Sequence, residues 1–201
     1  MSEKIKKKQC KITILGEDGV GKHSIVNDLL EENDKLTEHS SHIGIDTKEY
    51  NLLHTINGKI TEFNIEFRII SGQERNKGIT KSIYENIDCF IIIYDVCNEE
   101  SFKCLKLWNE NIKKYSNLKD YLVCIIGNKV SSNRVVSFEK GKIFAEENNC
   151  FYYENDDKTN FENILKQFIP NLKQKKQEKL KCEIEEDAAD SCCCGKKCNI
   201  Y

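Results

Sequence analysis

The sequence lacks a long apolar run, an internal repeat and an excess of positive charge. No stretch of about 18 apolar residues, the length of a membrane-spanning helix, is found along it. The basic start, residues 1–8, precedes no apolar stretch of signal-peptide length, and we expect it to be a short N-terminal extension. These features predict a protein that is made and retained in the cytosolic compartment.

The charge balance argues against one class of partner. Lysine and arginine total 31 and aspartate and glutamate 33, so the formal net charge is -2. Without a global positive field, we do not expect nucleic acid to be a partner. At 201 residues and 39% apolar composition, the chain is long enough for one monomeric globular domain and a tail.

The cysteines fall into two groups. Six of the 11 lie singly among the predicted strands and helices, and the other five lie in the last twenty residues. An odd number in a cytosolic chain argues against a disulfide framework. We expect the scattered six to behave as small apolar residues.

Apolar runs and turn signals predict a single α/β domain over residues 9–170. A strand at 10–15 leads through a glycine-rich loop into a helix, and Asn57-Gly58 favours a hairpin between strands at 50–56 and 60–70. The strands at 89–94 and 121–126 are continuously apolar, which indicates a sheet that is covered on both faces. Helices alternating with strands then favour parallel pairing. The remaining predicted elements are strands at 89–94, 121–126 and 150–153, and helices from near 101, at 137–148 and from 161 past 168.

The loop after the first strand fits the start of a phosphate-loop pattern. In such loops, successive backbone N–H groups hold phosphate oxygens at a helix N-terminus, and a lysine adds a positive charge. Glycine is required because the backbone comes close to the anion. The segment reads Gly16-Glu17-Asp18-Gly19-Val20-Gly21-Lys22.

Four further segments resemble the Rab branch of the Ras superfamily, over about residues 9–169. Ile43-Gly44-Ile45-Asp46 resembles the end of the first switch, and Ser71-Gly72-Gln73-Glu74-Arg75 resembles the second switch. Tyr94-Asp95-Val96, with Glu100-Ser101-Phe102 and Leu107-Trp108, is similar to the Rab passage from the fourth strand to the third helix, and Gly127-Asn128-Lys129 looks like the guanine loop.

The resemblance implies the three-layer P-loop small-GTPase fold, with a six-stranded, mostly parallel sheet, one antiparallel strand and five helices. It also implies GTP or GDP at the carboxyl ends of the strands, with Gln73 positioning the attacking water. The phosphate-binding residues would be Gly16, Asp18, Gly19, Val20, Gly21, Lys22, His23, Ser24 and Gly72. The guanine-binding residues would be Asn128, Lys129, Ser131, Asp157 and Lys158.

The positions that hold Mg²⁺ in the family depart from its pattern. They read His23, His42 at the first switch, and Ile69. Mg²⁺ prefers oxygen ligands, so imidazole suits it poorly and an isoleucine offers no ligand. Ser24 is one residue late, which turns it by about 100° around the helix. We expect weak or absent Mg²⁺ binding, and two histidines without a third ligand seldom make a zinc site.

Base recognition departs from the pattern as well. The family reads guanine with an aspartate where this chain has Ser131, which can accept from only part of that edge. The loss should cost on the order of 2–4 kcal/mol. Asp156 and Asp157 also replace small residues of the family before Lys158. Hydrolysis is doubtful, because Gln73 alone cannot replace the charge neutralisation that a metal provides.

The tail, residues 171–201, has too little apolar surface to fold alone and predicts a flexible tether. Cys198-Asn199-Ile200-Tyr201 has the spacing of a prenylation box, and Rab tails commonly carry two prenyl groups. Two lipids are needed for stable anchoring, and Lys196-Lys197 would attract anionic lipid. A tetrathiolate metal site is the alternative, which adjacent cysteines suit poorly. The predicted lipidation sites are Cys193, Cys194 and Cys198.

Two functions follow from these patterns. The first is a Rab-like GTP- or GDP-dependent switch in vesicle trafficking, at the cytoplasmic face of an endomembrane, with effector proteins, a prenyltransferase and membrane lipids as partners. The second is a pseudoGTPase scaffold that neither binds nor hydrolyses GTP. A P-loop kinase or ATPase is disfavoured by the Asn128-Lys129 segment and by the second switch. Lys22 should matter for the first function and not for the second.

Overall fold

The computed structural model describes residues 6–31, 40–42, 45–56, 58–70, 81–130, 133–156 and 160–170. Several residues singled out from the sequence lie outside this part of the chain, and of His42 only the backbone is described. Those outside are Gly72, Gln73, Ser131, Asp157, Lys158, Cys193, Cys194 and Cys198.

The strands form one seven-stranded mixed sheet in the order β2-β3-β4-β1-β5-β6-β7. The pairs β1–β4, β1–β5, β5–β6 and β6–β7 are parallel, whereas β2–β3 and β3–β4 are antiparallel. The predicted six-stranded mixed sheet is confirmed, and the three-residue β2 adds to it at the edge. The bounds are β1 Lys6–Leu15, β2 Ser40–His42, β3 Ile45–Ile56, β4 Lys59–Ile70, β5 Cys89–Asp95, β6 Leu122–Asn128 and β7 Phe151–Glu154.

The hairpin between β3 and β4 is confirmed. Ile56 pairs with Lys59, and Gly58 adopts a φ of +74°, which a tight turn of this kind needs. The strand β1 begins earlier than its apolar pattern indicated, because its polar end pairs with β4. Lys7, for example, forms an ion pair with Glu62 at 3.3 Å.

The described residues contain the four helices that residue spacing predicted, and not the five implied by the family resemblance. The segments α2 and α3 are separated only by Cys104. The hydrogen bonding continues through it, since its N–H donates to Glu100 O and its carbonyl accepts from Trp108 N, both at 3.1 Å. The bounds are α1 Lys22–Glu31, α2 Glu99–Lys103, α3 Leu105–Tyr115, α4 Phe138–Glu147 and α5 Phe161–Phe168, with a 3₁₀ turn at Lys81–Ile83.

The sheet is the middle layer of three. One apolar cluster joins it to α1 and α5, and a second joins it to α2, α3 and α4. Because both faces are covered, β5 and β6 are buried almost along their whole length, as their unbroken apolar sequences predicted.

The same topology brings the candidate site together. The phosphate loop follows β1, Asp95 ends β5, Asn128 ends β6 and Asn155 follows β7. These strands are parallel neighbours, so the segments that follow them lie at one edge of the sheet, where α/β proteins bind ligands. No helix in the described part of the chain is long and apolar enough to cross a membrane.

Candidate nucleotide-binding site

The phosphate loop has a backbone that side chains would obstruct. Gly16 and Gly21 have φ values of +140° and +94°. A Cβ at Gly16 would overlap the carbonyl oxygen of Ile93, and a Cβ at Gly21 would lie 2.5 Å from Asn128 Nδ2. Glycine is therefore needed at both positions for positive φ and for close approach.

Lys22 is held inside this loop. Its side chain is buried, and Nζ donates to the carbonyl oxygens of Gly16 at 3.0 Å and Glu17 at 2.7 Å. Burial lowers the pKa of Lys22, while the Asp18 and Glu17 carboxylates act to raise it. The ammonium group is thus positioned by backbone oxygens at the start of α1.

Asn128 joins the phosphate loop to the guanine-side loops. Its Nδ2 donates to Val20 O at 2.9 Å, and its Oδ1 accepts from Asn155 Nδ2 at 3.1 Å. The backbone N–H of Asn155 also donates to Gly127 O at 2.9 Å. Three loops that are distant in sequence are therefore fixed to one another by a single amide side chain.

Lys129 adopts a positive φ of 59° directly after this asparagine. Its Nζ lies 2.8 Å from Asp95 Oδ2, and the other oxygen of Asp95 accepts from Cys97 N at 2.8 Å. The carboxylate at the end of β5 therefore positions the lysine of the guanine loop.

A cleft of about 500 Å³ opens beside Asn128 and Lys129. Its walls come from α1, the guanine loop, the segment after β7 and the start of α5, and they carry three carboxylates, Asp28, Asp156 and Glu162. Glu162 has structural partners, since its two oxygens bind Tyr50 Oη at 2.9 Å and Lys166 Nζ at 3.1 Å.

The positions expected to hold a metal have a different chemistry. Ile69 is fully buried in the apolar core, directly opposite Asp46 on β3. His23 Nε2 lies 3.7 Å from Asp46 Oδ2, and Lys48 Nζ lies 3.9 Å from the same oxygen. Lys48 also donates to Asn27 Oδ1. The Asp46 carboxylate beside His23 therefore already has the Lys48 ammonium group close to it.

The His23 side chain is 52% exposed. Desolvation lowers the pKa of His23, and Asp46 partly offsets this effect. Neutral imidazole is therefore the main form at pH 7. Among the described residues, no group of three or more His, Cys, Asp or Glu side chains is arranged to hold a metal. Ser24 lies exposed on α1.

Some site contacts were not foreseen from the sequence. Trp108 Nε1 donates to Glu17 Oε1 at 3.2 Å, which ties α3 to the phosphate loop. Asn155 was also not singled out, and the contacts of Asp46 with His23 and Lys48 were not predicted. A local pattern does not predict these contacts, because the two partners of each contact belong to different elements of the chain.

Comparison with known proteins agrees with this geometry. A sequence model of the Ras family matches residues 11–177. The chain belongs to the Ras family. Within this family it is a divergent Rab-type member, which confirms the resemblance seen in its motifs.

Its relatives match over most of their length. The Ras-related protein Rab-18 of Lymnaea stagnalis is 32% identical over 166 residues, which is 79% of this chain and 80% of the relative. The Ras-related protein RIC1 of Oryza sativa subsp. japonica is 30% identical over 81% of this chain and 80% of its own. The human Ras-related protein Rab-30 is 29% identical over 79% of this chain and 76% of its own.

Proposed function

We propose that this Ras-family protein is a Rab-like guanine-nucleotide switch of vesicle trafficking that depends little on Mg²⁺ for holding its nucleotide. The observation that carries the proposal is the joined set of loops around Asn128, with the ammonium of Lys22 held inside the phosphate loop.

A preformed anion site supports nucleotide binding. The loop already has the positive φ values that turn backbone N–H groups toward a phosphate, and a helix N-terminus follows it. Lys22 bonds to two carbonyl oxygens, so it is positioned before any ligand arrives. A ligand that needs no reorganisation of these groups binds with a smaller entropic cost.

The residues at the metal positions do not fit Mg²⁺. Ile69 has no donor atom, His23 offers nitrogen, and the nearby Asp46 carboxylate has His23 and Lys48 within 4 Å. Mg²⁺ needs near-octahedral oxygen coordination. We therefore propose that the phosphates are held by backbone N–H groups and Lys22, and that hydrolysis by Gln73 is slow or lost.

The remaining parts of the proposal concern location and partners. Cys193, Cys194 and Cys198 would receive lipid from a prenyltransferase and anchor the protein at the cytoplasmic face of an endomembrane. Effector proteins would then bind the switch surface when nucleotide orders it.

The first test is the nucleotide content of the purified full-length chain. The protein is purified with and without EDTA and then denatured, and the released nucleotide is identified by anion-exchange chromatography. We expect GDP or GTP near one per chain, and equal retention in both preparations, because the described side chains at the metal positions, His23 and Ile69, offer Mg²⁺ no oxygen ligand.

The controls separate the two halves of this proposal. Lys22→Ala should lose the nucleotide, whereas Lys140→Ala, which removes a lysine paired with Glu99 at the surface, should keep it. Nucleotide that EDTA removes would contradict the metal-independent part alone. A folded chain without nucleotide would contradict the switch and favour the pseudoGTPase scaffold.

A further inference from the structure

The cleft beside the guanine loop still carries negative charge, although the chain lacks the aspartate with which the family reads guanine. Position 131 is a serine, yet Asp156 and Asp28 both line the same cleft as Asn128 and Lys129. A carboxylate is therefore still present on the wall of this cleft, contributed by a different segment of the chain.

Asp156 is placed by the same hydrogen bonds that fix the guanine loop. The preceding residue, Asn155, is bonded to Gly127 O through its backbone and to Asn128 Oδ1 through its side chain. Asp156 is thus one residue from a double attachment to the loop, and it is exposed on the cleft wall. Asp28 lines the same cleft from α1.

We propose that Asp156 is the residue that reads guanine in this chain, in place of the residue at position 131. The inference rests on the proposed nucleotide-binding function and adds the source of its base specificity. It also gives a role to a negative charge that replaces a small residue of the family pattern.

The chemistry of the base explains why a carboxylate at this wall selects guanine. Guanine presents two adjacent donors, N1–H and the exocyclic amino group, and an ionised carboxylate is acceptor-only with two oxygens. Adenine presents an acceptor at N1, which a carboxylate would repel. Xanthine has a carbonyl oxygen in place of the amino group, so it is rejected by a carboxylate and accepted by an amide.

The test is an exchange of base specificity by Asp156→Asn in the full-length chain. Dissociation constants for GDP and xanthosine diphosphate are measured by competition with a fluorescent GDP or xanthosine diphosphate. The variant should bind GDP about 10- to 100-fold more weakly, because a charge-assisted pair of hydrogen bonds is lost. It should bind xanthosine diphosphate at least about tenfold more tightly than the wild type does. The gain of a ligand also shows that the variant is folded.

Two further variants locate the effect. Asp28→Asn removes the same charge from the α1 part of the cleft wall and should keep the preference for GDP. Adding Ser131→Asp to Asp156→Asn should restore that preference, because it returns the aspartate with which the family reads guanine.

Each contrary result has its own meaning. The assignment of Asp156 is wrong if Asp156→Asn still prefers GDP or if it loses GDP and xanthosine diphosphate equally. It is also wrong if Asp28→Asn produces the exchange of specificity. The proposal that the wild-type chain binds nucleotide stands in all three cases. If the wild-type chain binds neither nucleotide, both the assignment and the proposed function are wrong.

Discussion

At the scale of single residues, a network of hydrogen-bonded polar side chains lies next to the guanine-side loops. Tyr94 Oη lies 2.8 Å from Tyr152 Oη, Tyr152 Oη donates to Glu154 Oε1 at 2.8 Å, and Arg134 lies 2.5 Å from Glu154 Oε2. Burial raises the pKa of Tyr152, and so do the hydrogen bond and charge of its neighbours, so the phenol remains a donor at neutral pH. Glu154 directly precedes Asn155, so this network reaches the site.

Removing one hydroxyl should reveal its contribution. In Tyr152→Phe, both Tyr94 and Glu154 lose a partner in a partly buried setting, so we expect a loss of about 1–2 kcal/mol in the free energy of unfolding. Urea titration followed by circular dichroism measures this value. The matched control is Tyr153→Phe on the same strand, because the Tyr153 hydroxyl forms no hydrogen bond with the described residues. This control should change the free energy of unfolding by less than about 0.5 kcal/mol. Equal losses in the two variants would show that the network contributes nothing specific.

At the scale of elements, the packing of α4 on β7 depends on one residue without a side chain. A Cβ at Gly141 would lie 2.5 Å from Tyr152 Cζ and 2.7 Å from Cε2, and it would overlap the hydroxyl. The ring of Tyr152 therefore fills the space that a side chain on this turn of α4 would occupy.

Gly141→Ala should thus lower the free energy of unfolding, whereas glycine-to-alanine substitutions inside helices usually raise it. Alanine normally stabilises a helix interior by about 0.5–1 kcal/mol relative to glycine. Here overpacking should instead destabilise the protein by about 1–3 kcal/mol, measured by the same urea titration. In the Tyr152→Leu background the shorter side chain leaves room, and the alanine should then be neutral or stabilising. Destabilisation of equal size in both backgrounds would mean that the ring is not the cause.

Most elements could be predicted from the sequence because their signals are local. The apolar runs of β5 and β6, the glycine turn between β3 and β4, and the spacing of α4 each lie within a dozen residues. The start of β1 could not be predicted, because Lys6–Lys8 carry no apolar alternation; their backbone pairs with β4, and Lys7 adds an ion pair with Glu62. The strand β2 has only three residues and no apolar pattern.

At the scale of the whole molecule, the site could be predicted only in part, because some of its contacts join residues that are far apart in the sequence. The phosphate loop is contiguous, so its glycines and Lys22 could be identified directly from the sequence. The bond from Asn128 to Val20 spans 108 positions and that from Trp108 to Glu17 spans 91. Such contacts depend on the order of strands in the sheet, which a linear pattern does not contain. The contact of His23 with Asp46 likewise needs α1 to lie against β3.

The proposed anchor follows residue 170 in the sequence and can be tested separately from the nucleotide site. Replacing Cys193, Cys194 and Cys198 together by serine should move the protein from the membrane pellet to the supernatant of fractionated cells. The variant has lost all three predicted lipidation sites, and even a single lipid chain would give only marginal binding. Cys182→Ser, in the same tail, should leave the distribution unchanged. A triple variant that still sediments with membranes at high salt would show that lipid on these cysteines is not the anchor. The triple variant should also keep its GDP, because the phosphate loop and the cleft lie in residues that the substitutions do not touch, and this measurement separates loss of anchoring from loss of the fold.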